Sequence, residues 1–107
     1  MATGRLGQAD LSGATNTTVY ACPADTYTIA SLNLVNRGNQ AVTMRIAVAA
    51  LDTPTNGEYI EYDVEILAKG VLERTGIVLA ATQKIVAYCS SANISAVVMG
   101  IETSTAT

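Results

Sequence analysis

The feature that most constrains this chain is a two-residue alternation of apolar and polar side chains. In residues 42–48, Val42, Met44, Ile46 and Val48 alternate with polar or small residues. Successive side chains of a strand point to opposite faces, whereas a helix would place Val42 and Met44 about 200° apart. The segment is therefore predicted to be a strand.

Turn-forming residues interrupt this alternation about every ten residues, a spacing typical of antiparallel sandwiches and barrels. No segment has the 3.6-residue period of an amphipathic helix. The sequence therefore predicts an all-β fold, a small antiparallel β-sandwich of seven to eight short strands, as one domain over residues 1–107. The predicted strands are 17–21, 26–35, 42–48, 58–66, 71–79, 84–89 and 94–102, and residues 2–13 and 103–107 are predicted to be extended arms.

The segment 26–35 has a break in its pattern. Its apolar positions change parity, from Tyr27 and Ile29 to Leu32 and Leu34. A β-bulge, or a bend from one sheet to another, would produce such a change. The turn-rich residues 36–40 follow, and they predict a hairpin between this strand and the next.

Two late segments, 85–89 and 94–101, are apolar at both parities. A sandwich strand needs only its inner face apolar, so an apolar outer face predicts contact with another subunit or a folded-back arm. The alternative is that small Ala and Ser side chains make these faces only weakly adhesive. The candidate interface residues are Arg5, Leu6, Tyr59, Tyr62, Val97, Met99 and Ile101.

Composition argues against several classes of function. The net charge is -3, and the six basic residues are scattered, whereas nucleic-acid binding needs clustered Lys and Arg. No apolar run is long enough for a signal peptide or a membrane span, so we expect neither membrane nor nucleic acid among the partners. The chain contains no His, the commonest general base, and no Ser-x-x-Lys arrangement, so we expect no enzyme and no catalytic residues.

The densest charge lies in residues 58–65. Glu61, Asp63 and Glu65 are predicted to share one strand face, about 7 Å apart. Paired carboxylates can hydrolyse glycosides and carboxylate groups can hold Ca²⁺, but the surrounding sequence has neither an aromatic cleft nor a calcium loop. We therefore predict a solvated or partner-facing acidic strand, with no metal and no cofactor. Glu73 and Arg74 are predicted to point to opposite faces, each toward a neighbouring strand or subunit.

The two cysteines, Cys22 and Cys89, have no zinc-binding spacing. The favoured interpretation is two small buried hydrophobic residues. A single disulfide, within the chain or between subunits, stays open as the alternative.

Six short segments, taken together, resemble a family of small virion structural proteins of tailed bacteriophages. These segments are Gly4-Arg5-Leu6-Gly7, Asn16-Thr17-Thr18-Val19-Tyr20, Val35-Asn36-Arg37-Gly38, Glu58-Tyr59-Ile60-Glu61-Tyr62-Asp63, Gly70-Val71-Leu72-Glu73-Arg74-Thr75-Gly76 and Gly100-Ile101-Glu102-Thr103. The resemblance implies an accessory structural role in the virion, assembled in the host cytoplasm, with no catalytic residues to transfer.

We therefore expect a capsid decoration or cement protein that binds the outer head surface and stabilises the lattice. Its partners would be the major capsid protein or tail proteins of the same particle, and copies of itself, with a homotrimer favoured. One alternative is a tail- or fibre-associated module, such as a sheath decoration, collar or baseplate component. A third, in a different class, is a carbohydrate-binding module for host attachment, which would need an exposed aromatic platform.

Overall fold

Eight strands and one short 3-10 turn make up the regular structure of residues 2–105, the part of the chain that the computed structural model describes. The strands are β1 (Thr3–Leu11), β2 (Thr15–Ala21), β3 (Thr26–Asn36), β4 (Val42–Ala49), β5 (Tyr59–Ile66), β6 (Val71–Leu79), β7 (Lys84–Cys89) and β8 (Ile94–Ser104), and the 3-10 turn is Asn56–Glu58. Within residues 2–105, no helix is long and apolar enough to cross a bilayer.

The strands form two four-stranded antiparallel sheets that pack face to face. The first sheet has the order β1-β8-β3-β6, and the second has the order β2-β7-β4-β5. Eight strands in two sheets with this crossing order are the double Greek key, or jelly roll. The predicted all-β antiparallel sandwich is therefore confirmed.

The core lies between the sheets and takes alternate residues from each strand. In β3 the burial alternates without interruption from Thr26 to Asn36, which is the pattern of a strand with one inward face. Strands β1 and β2 contact each other and close one side of the sandwich. The largest side chains buried in this core include Leu11, Leu32, Leu34, Met44, Ile46, Leu79, Ile85, Ile94 and Val98.

The predicted N-terminal arm is instead a strand of the first sheet. Residues 3–11 form β1, which pairs with β8 from Thr3↔Ile101 to Leu11↔Ile94. Leu11 is buried, and Leu6 and Ala9 pack against the core. The predicted C-terminal arm begins inside β8, which includes Thr103 and Ser104, whereas residues 106–107 lie outside the described residues.

The hairpin predicted at residues 36–40 is also absent, because these residues cross from one sheet to the other. β3 pairs with β6 and β8, and β4 pairs with β5 and β7. The buried Asn36 side chain fixes this crossing. Its Nδ2 donates to the carbonyl oxygens of Gln40, Ile66 and Leu67 at 2.8, 3.1 and 3.3 Å, and its Oδ1 accepts from the Gly38 N–H.

The parity change in residues 26–35 has a different cause from the one predicted. β3 keeps its alternation, so Leu32 and Leu34 point inward while Tyr27 and Ile29 point outward. The bulge lies in the partner strand, since Ala30 pairs with Ile77 and Leu32 with Arg74, which leaves an extra residue in β6. Gly76 occupies this bulge with φ of +70°, a conformation that favours glycine.

Candidate interaction surface

The outward face of the first sheet carries a contiguous set of apolar side chains. Cross-strand register places Ile29 of β3 directly between Ile101 of β8 and Val78 of β6. The exposed fraction is 52% for Ile29, 54% for Ile101 and 63% for Val78. We call the outward side of this sheet the open face. Its exposed apolar residues form a larger set toward one end, Tyr27, Ile29, Val78, Met99 and Ile101, and a smaller pair at the other end, Val35 and Val71.

The second sheet also has apolar outward residues, but they are covered. Ala47 and Val86 pair across β4 and β7 on its outward side, and both are buried. The segment after β4 crosses this side of the sheet: its Asp52 Oδ1 accepts hydrogen bonds from Thr18 of β2 at 2.5 Å and from Lys84 of β7 at 3.1 Å. The chain therefore covers one apolar outward face with its own loop, whereas no segment of residues 2–105 covers the other.

The outward side of the second sheet also carries an aromatic cluster around Arg45. The register sets Arg45 between Tyr62 and Tyr88, and its guanidinium carbon lies 4.2 and 5.0 Å from the two ring centroids. Tyr59 meets Tyr62 edge to face, with centroids 5.0 Å apart. The Arg45 Nε donates to Asp63 at 2.7 Å, and this hydrogen bond raises the pKa of Arg45. Such cation–π and ion-pair contacts hold these side chains in a fixed arrangement.

The structure divides the predicted interface residues among three places. Arg5, Val97, Met99 and Ile101 belong to the open face, where Arg5 lies opposite Met99. Leu6 does not, because the bulge between Arg5 and Gly7 turns it toward the core. Tyr59 and Tyr62 lie on the outward side of the other sheet, so they cannot join the open face.

Sequence reasoning missed Tyr27, Ile29 and Val78. The parity change in residues 26–35 could have indicated Tyr27 and Ile29. Apolar residues on the outward side of β3 interrupt the apolar–polar alternation in the same way as a bulge would. For Val78 the signal was the uninterrupted apolar run Ile77-Val78-Leu79, which resembles the two segments that were recognised as apolar on both faces.

The predicted acidic face of β5 is divided between two environments. β5 has irregular pairing with β4, and Asp63 adopts a φ of +54°. Asp63 consequently reaches Arg45, while the half-buried Glu61 bridges to Arg74 of the first sheet at 3.0 Å. Arg74 thus contacts a neighbouring element, as predicted, and Glu73 points to the open face. Within residues 2–105, no group of His, Cys, Asp or Glu is arranged to hold a metal ion.

Both cysteines are buried and free, which agrees with the favoured interpretation. The β2–β7 register pairs Ala21, next to Cys22, with Lys84, and pairs Thr15 with Cys89. The two thiols therefore lie near opposite ends of this strand pair, about 20 Å apart along the strands. That separation is far beyond the span of a disulfide within the chain. Burial raises the pKa of the Cys89 thiol.

A polar network lies at the end of the sandwich near Cys22. The buried Tyr20 hydroxyl donates to Glu102 at 2.5 Å and contacts the Thr28 hydroxyl at 2.8 Å. The other Glu102 oxygen accepts the Ala2 N–H at 3.1 Å. Burial, followed by the hydrogen bond to Glu102, raises the pKa of Tyr20 well above its ordinary value. This network connects β2 and β3 with β8 and with the start of the chain.

Neither a protein-family model nor a curated protein matches this chain. Its function is therefore inferred from the surfaces described above.

Proposed function

We propose that this protein is a non-enzymatic structural component of a bacteriophage virion, and specifically a decoration protein that stabilises the capsid lattice from outside. The observation that carries the proposal is the open face. Large apolar patches on a soluble protein are typical of interaction sites, and this chain covers the corresponding patch on its other sheet. The jelly roll supports the proposal at the level of fold, since capsid domains use it, although lectins and cupins use it too.

A decoration protein occupies many equivalent positions on a particle, so each contact can be weak. The open face suits this role because its edge strands carry polar and charged residues beside the exposed apolar ones, with Arg5 and Gln8 on β1 and Glu73 on β6. Polar residues of this kind limit nonspecific adhesion, while the exposed apolar residues supply the binding free energy.

The test is binding to undecorated heads, and separately to tails, of the phage that encodes the protein. We expect the wild-type protein to sediment with heads and to raise their thermal disruption temperature. Ile29→Glu should abolish this binding because it places a charge among the exposed apolar residues of the open face, the surface of assembly. The matched control is Leu51→Glu, which makes the same kind of change at an exposed apolar residue outside that face.

Binding to tails but not to heads would replace decoration of the head with a tail-associated role. Failure to bind either structure, by a protein that is folded, would refute the virion assignment.

A second candidate function, host attachment through glycans, is favoured by one observation. Tyr62 is 55% exposed, and it lies in the same cluster as Tyr59 and Arg45. Exposed aromatic rings with adjacent hydrogen-bonding groups are suited to binding ligands that are part apolar and part polar. A glycan array would test it: a specific signal that is lost in Tyr62→Ala and retained in Tyr27→Ala would support it, and an array without binders would remove it.

A further inference from the structure

Two charged side chains of the open face lack ion-pair partners within residues 2–105. Arg37, Arg45, Arg74 and Lys84 each contact a carboxylate, and Lys69 donates to a backbone carbonyl. Arg5 is the remaining basic residue, and it has no such contact in the described part of the chain. Glu73 is likewise exposed and without an ion-pair partner there.

Arg5 and Glu73 lie on opposite edges of the open face. Arg5 is on β1 and pairs with Met99, while Glu73 is on β6 and pairs with Asn33. β1 and β6 are the two edge strands of the sheet. The Arg5 row continues through Met99 to Ser31, and the Glu73 row continues through Asn33 to Val97. These rows are neighbours on the outward side, so the two charges are about 7 Å apart along the strand direction.

This arrangement is complementary to itself. A two-fold axis parallel to the strands turns the face over and exchanges its left and right edges. β1 of one copy then lies above β6 of the other, so each Arg5 comes within side-chain reach of Glu73 in the second copy. Both pairs form at once, as an isologous interface requires.

We propose that the open face binds a second copy of this chain, sheet against sheet about this two-fold axis, with two reciprocal Arg5–Glu73 ion pairs. The inference rests on the proposed function in taking the open face as the surface of assembly. It names a second copy as the partner at that surface, so the dimer contacts the particle through its remaining surface, and Ile29→Glu would weaken head binding by separating the two copies. The same rotation places Ile29 of each copy against the central apolar strands of the other, so the apolar rows cover each other. Aligned packing of two sheets at about 10 Å is a common arrangement.

The size of the face predicts a weak pair. Four strands of nine to eleven residues present a face on the order of 600 Å² per copy. A total near 1,200 Å² is roughly the lower end of specific interfaces, where weak and transient complexes are found. Because one sheet face is fully covered by one other sheet, association through it ends at two copies. This geometry favours a dimer over the trimer that the sequence analysis favoured.

The test uses charge reversal and mixing, with mass measured by sedimentation equilibrium from about 1 μM to 1 mM, roughly the concentrations at which weak complexes form. We expect wild type to reach twice the monomer mass, and Arg5→Glu and Glu73→Arg each to dissociate at least about tenfold more readily because like charges now face each other. An equimolar mixture of the two variants should restore dimers that contain one copy of each. In such a dimer the two substituted side chains form one ion pair. The unsubstituted Glu73 of the first variant and Arg5 of the second form the other. The double variant should also dimerise.

Glu65→Arg is the matched control, because Glu65 is exposed on β5, outside the open face, and should leave the dimer unchanged. Restoration by mixing also shows that both single variants are folded. The inference is overturned by a wild-type monomer at 1 mM, by a mixture that remains monomeric, or by a limiting mass of three chains.

Failure of this inference can be told from failure of the proposed function. A monomeric wild type that binds heads through the open face would assign that face to the capsid protein, which overturns the dimer and supports the virion role. A dimer restored by mixing, in a protein that binds neither heads nor tails, would support the dimer and refute the virion role.

Discussion

Two asparagines of β3 show how one residue type has opposite effects on the two faces of a strand. Asn36 points inward and all its polar atoms are hydrogen-bonded. Asn33 is on the outward side, and its Oδ1 is buried there with no hydrogen-bond partner among residues 2–105. A buried polar atom without a partner costs free energy, while one with good partners does not. The same substitution should therefore change stability in opposite directions at these positions.

We expect Asn33→Val to raise the free energy of unfolding by about 1 kcal/mol, because it removes the unpaired oxygen and adds a strand-favouring side chain. The control, Asn36→Val, should lower it by at least about 2 kcal/mol, because three carbonyl oxygens lose their donor. Urea unfolding in an Arg5→Glu background would measure both without a contribution from self-association. Destabilisation by Asn33→Val would show that its oxygen is satisfied.

The raised pKa of Tyr20 predicts a specific loss of stability at alkaline pH. A tyrosine in the unfolded chain ionises near pH 10, roughly its ordinary pKa, whereas folded Tyr20 keeps its proton to higher pH. Its contribution is therefore complete below about pH 10 and is lost as the pH rises toward the folded pKa. The wild-type free energy of unfolding should fall between pH 9 and 11, roughly the range in which the unfolded tyrosine ionises. In Tyr20→Phe this fall should be smaller, whereas in the control Tyr27→Phe it should be as large as in wild type. Identical slopes in the two variants would contradict this account.

At the scale of elements, the sequence predicted each of the seven strands from β2 to β8 to within a few residues, because their alternation and turns are local properties. It missed β1, since Gly4, Gly7 and several polar residues make residues 3–11 resemble an arm, and β1 is a strand only because β8 pairs with it. It also predicted a hairpin where the chain crosses between sheets. That choice depends on contacts of Asn36 with residues thirty positions away, which no local pattern contains.

The loop that covers the second sheet is held by carboxylates, so it should loosen in acid. Hydrogen bonds from Thr18 and Lys84 lower the pKa of Asp52, and backbone N–H groups of Thr55 and Ala50 lower the pKa of Glu58. A lowered folded pKa means that the stabilisation is present at neutral pH and is lost as the pH falls through that pKa. The loop should therefore stay closed until the pH is below the ordinary range of these groups.

The amide protons of Ala50 and Thr55 report this directly, because both donate to Glu58. Their NMR shifts should titrate with a midpoint below that of an ordinary glutamate. In Glu58→Ala both amides should exchange faster at pH 7, and Glu65→Ala should leave them unchanged. Unaltered exchange in Glu58→Ala would show that the carboxylate does not hold the loop.

At the scale of the whole molecule, the sequence indicated that contact surfaces would matter but could not assemble the surface. Met99 and Ile101 were recognisable within one strand, whereas Ile29 and Val78 join them only through the strand order β8-β3-β6. Tyr59 and Tyr62 were grouped with them because sequence does not show which sheet a strand enters. The two sheets are alike in having apolar outward residues, and only the covering loop distinguishes them.

That distinction predicts different outcomes for the same substitution on the two sheets. Ile29→Glu should change the stability of the monomer by less than about 1 kcal/mol, because a half-exposed side chain leaves the new carboxylate in water. Val86→Glu should lower the unfolding free energy by several kcal/mol, roughly enough to unfold a marginal domain, because Val86 is 2% exposed beneath the loop. Thermal unfolding at micromolar concentration would compare the two monomers, and dye binding to exposed apolar surface would show the converse: a decrease in Ile29→Glu and an increase in Val86→Glu. If both variants unfolded alike, the open face would be part of the core of the monomer, and neither assembly nor decoration could be assigned to it.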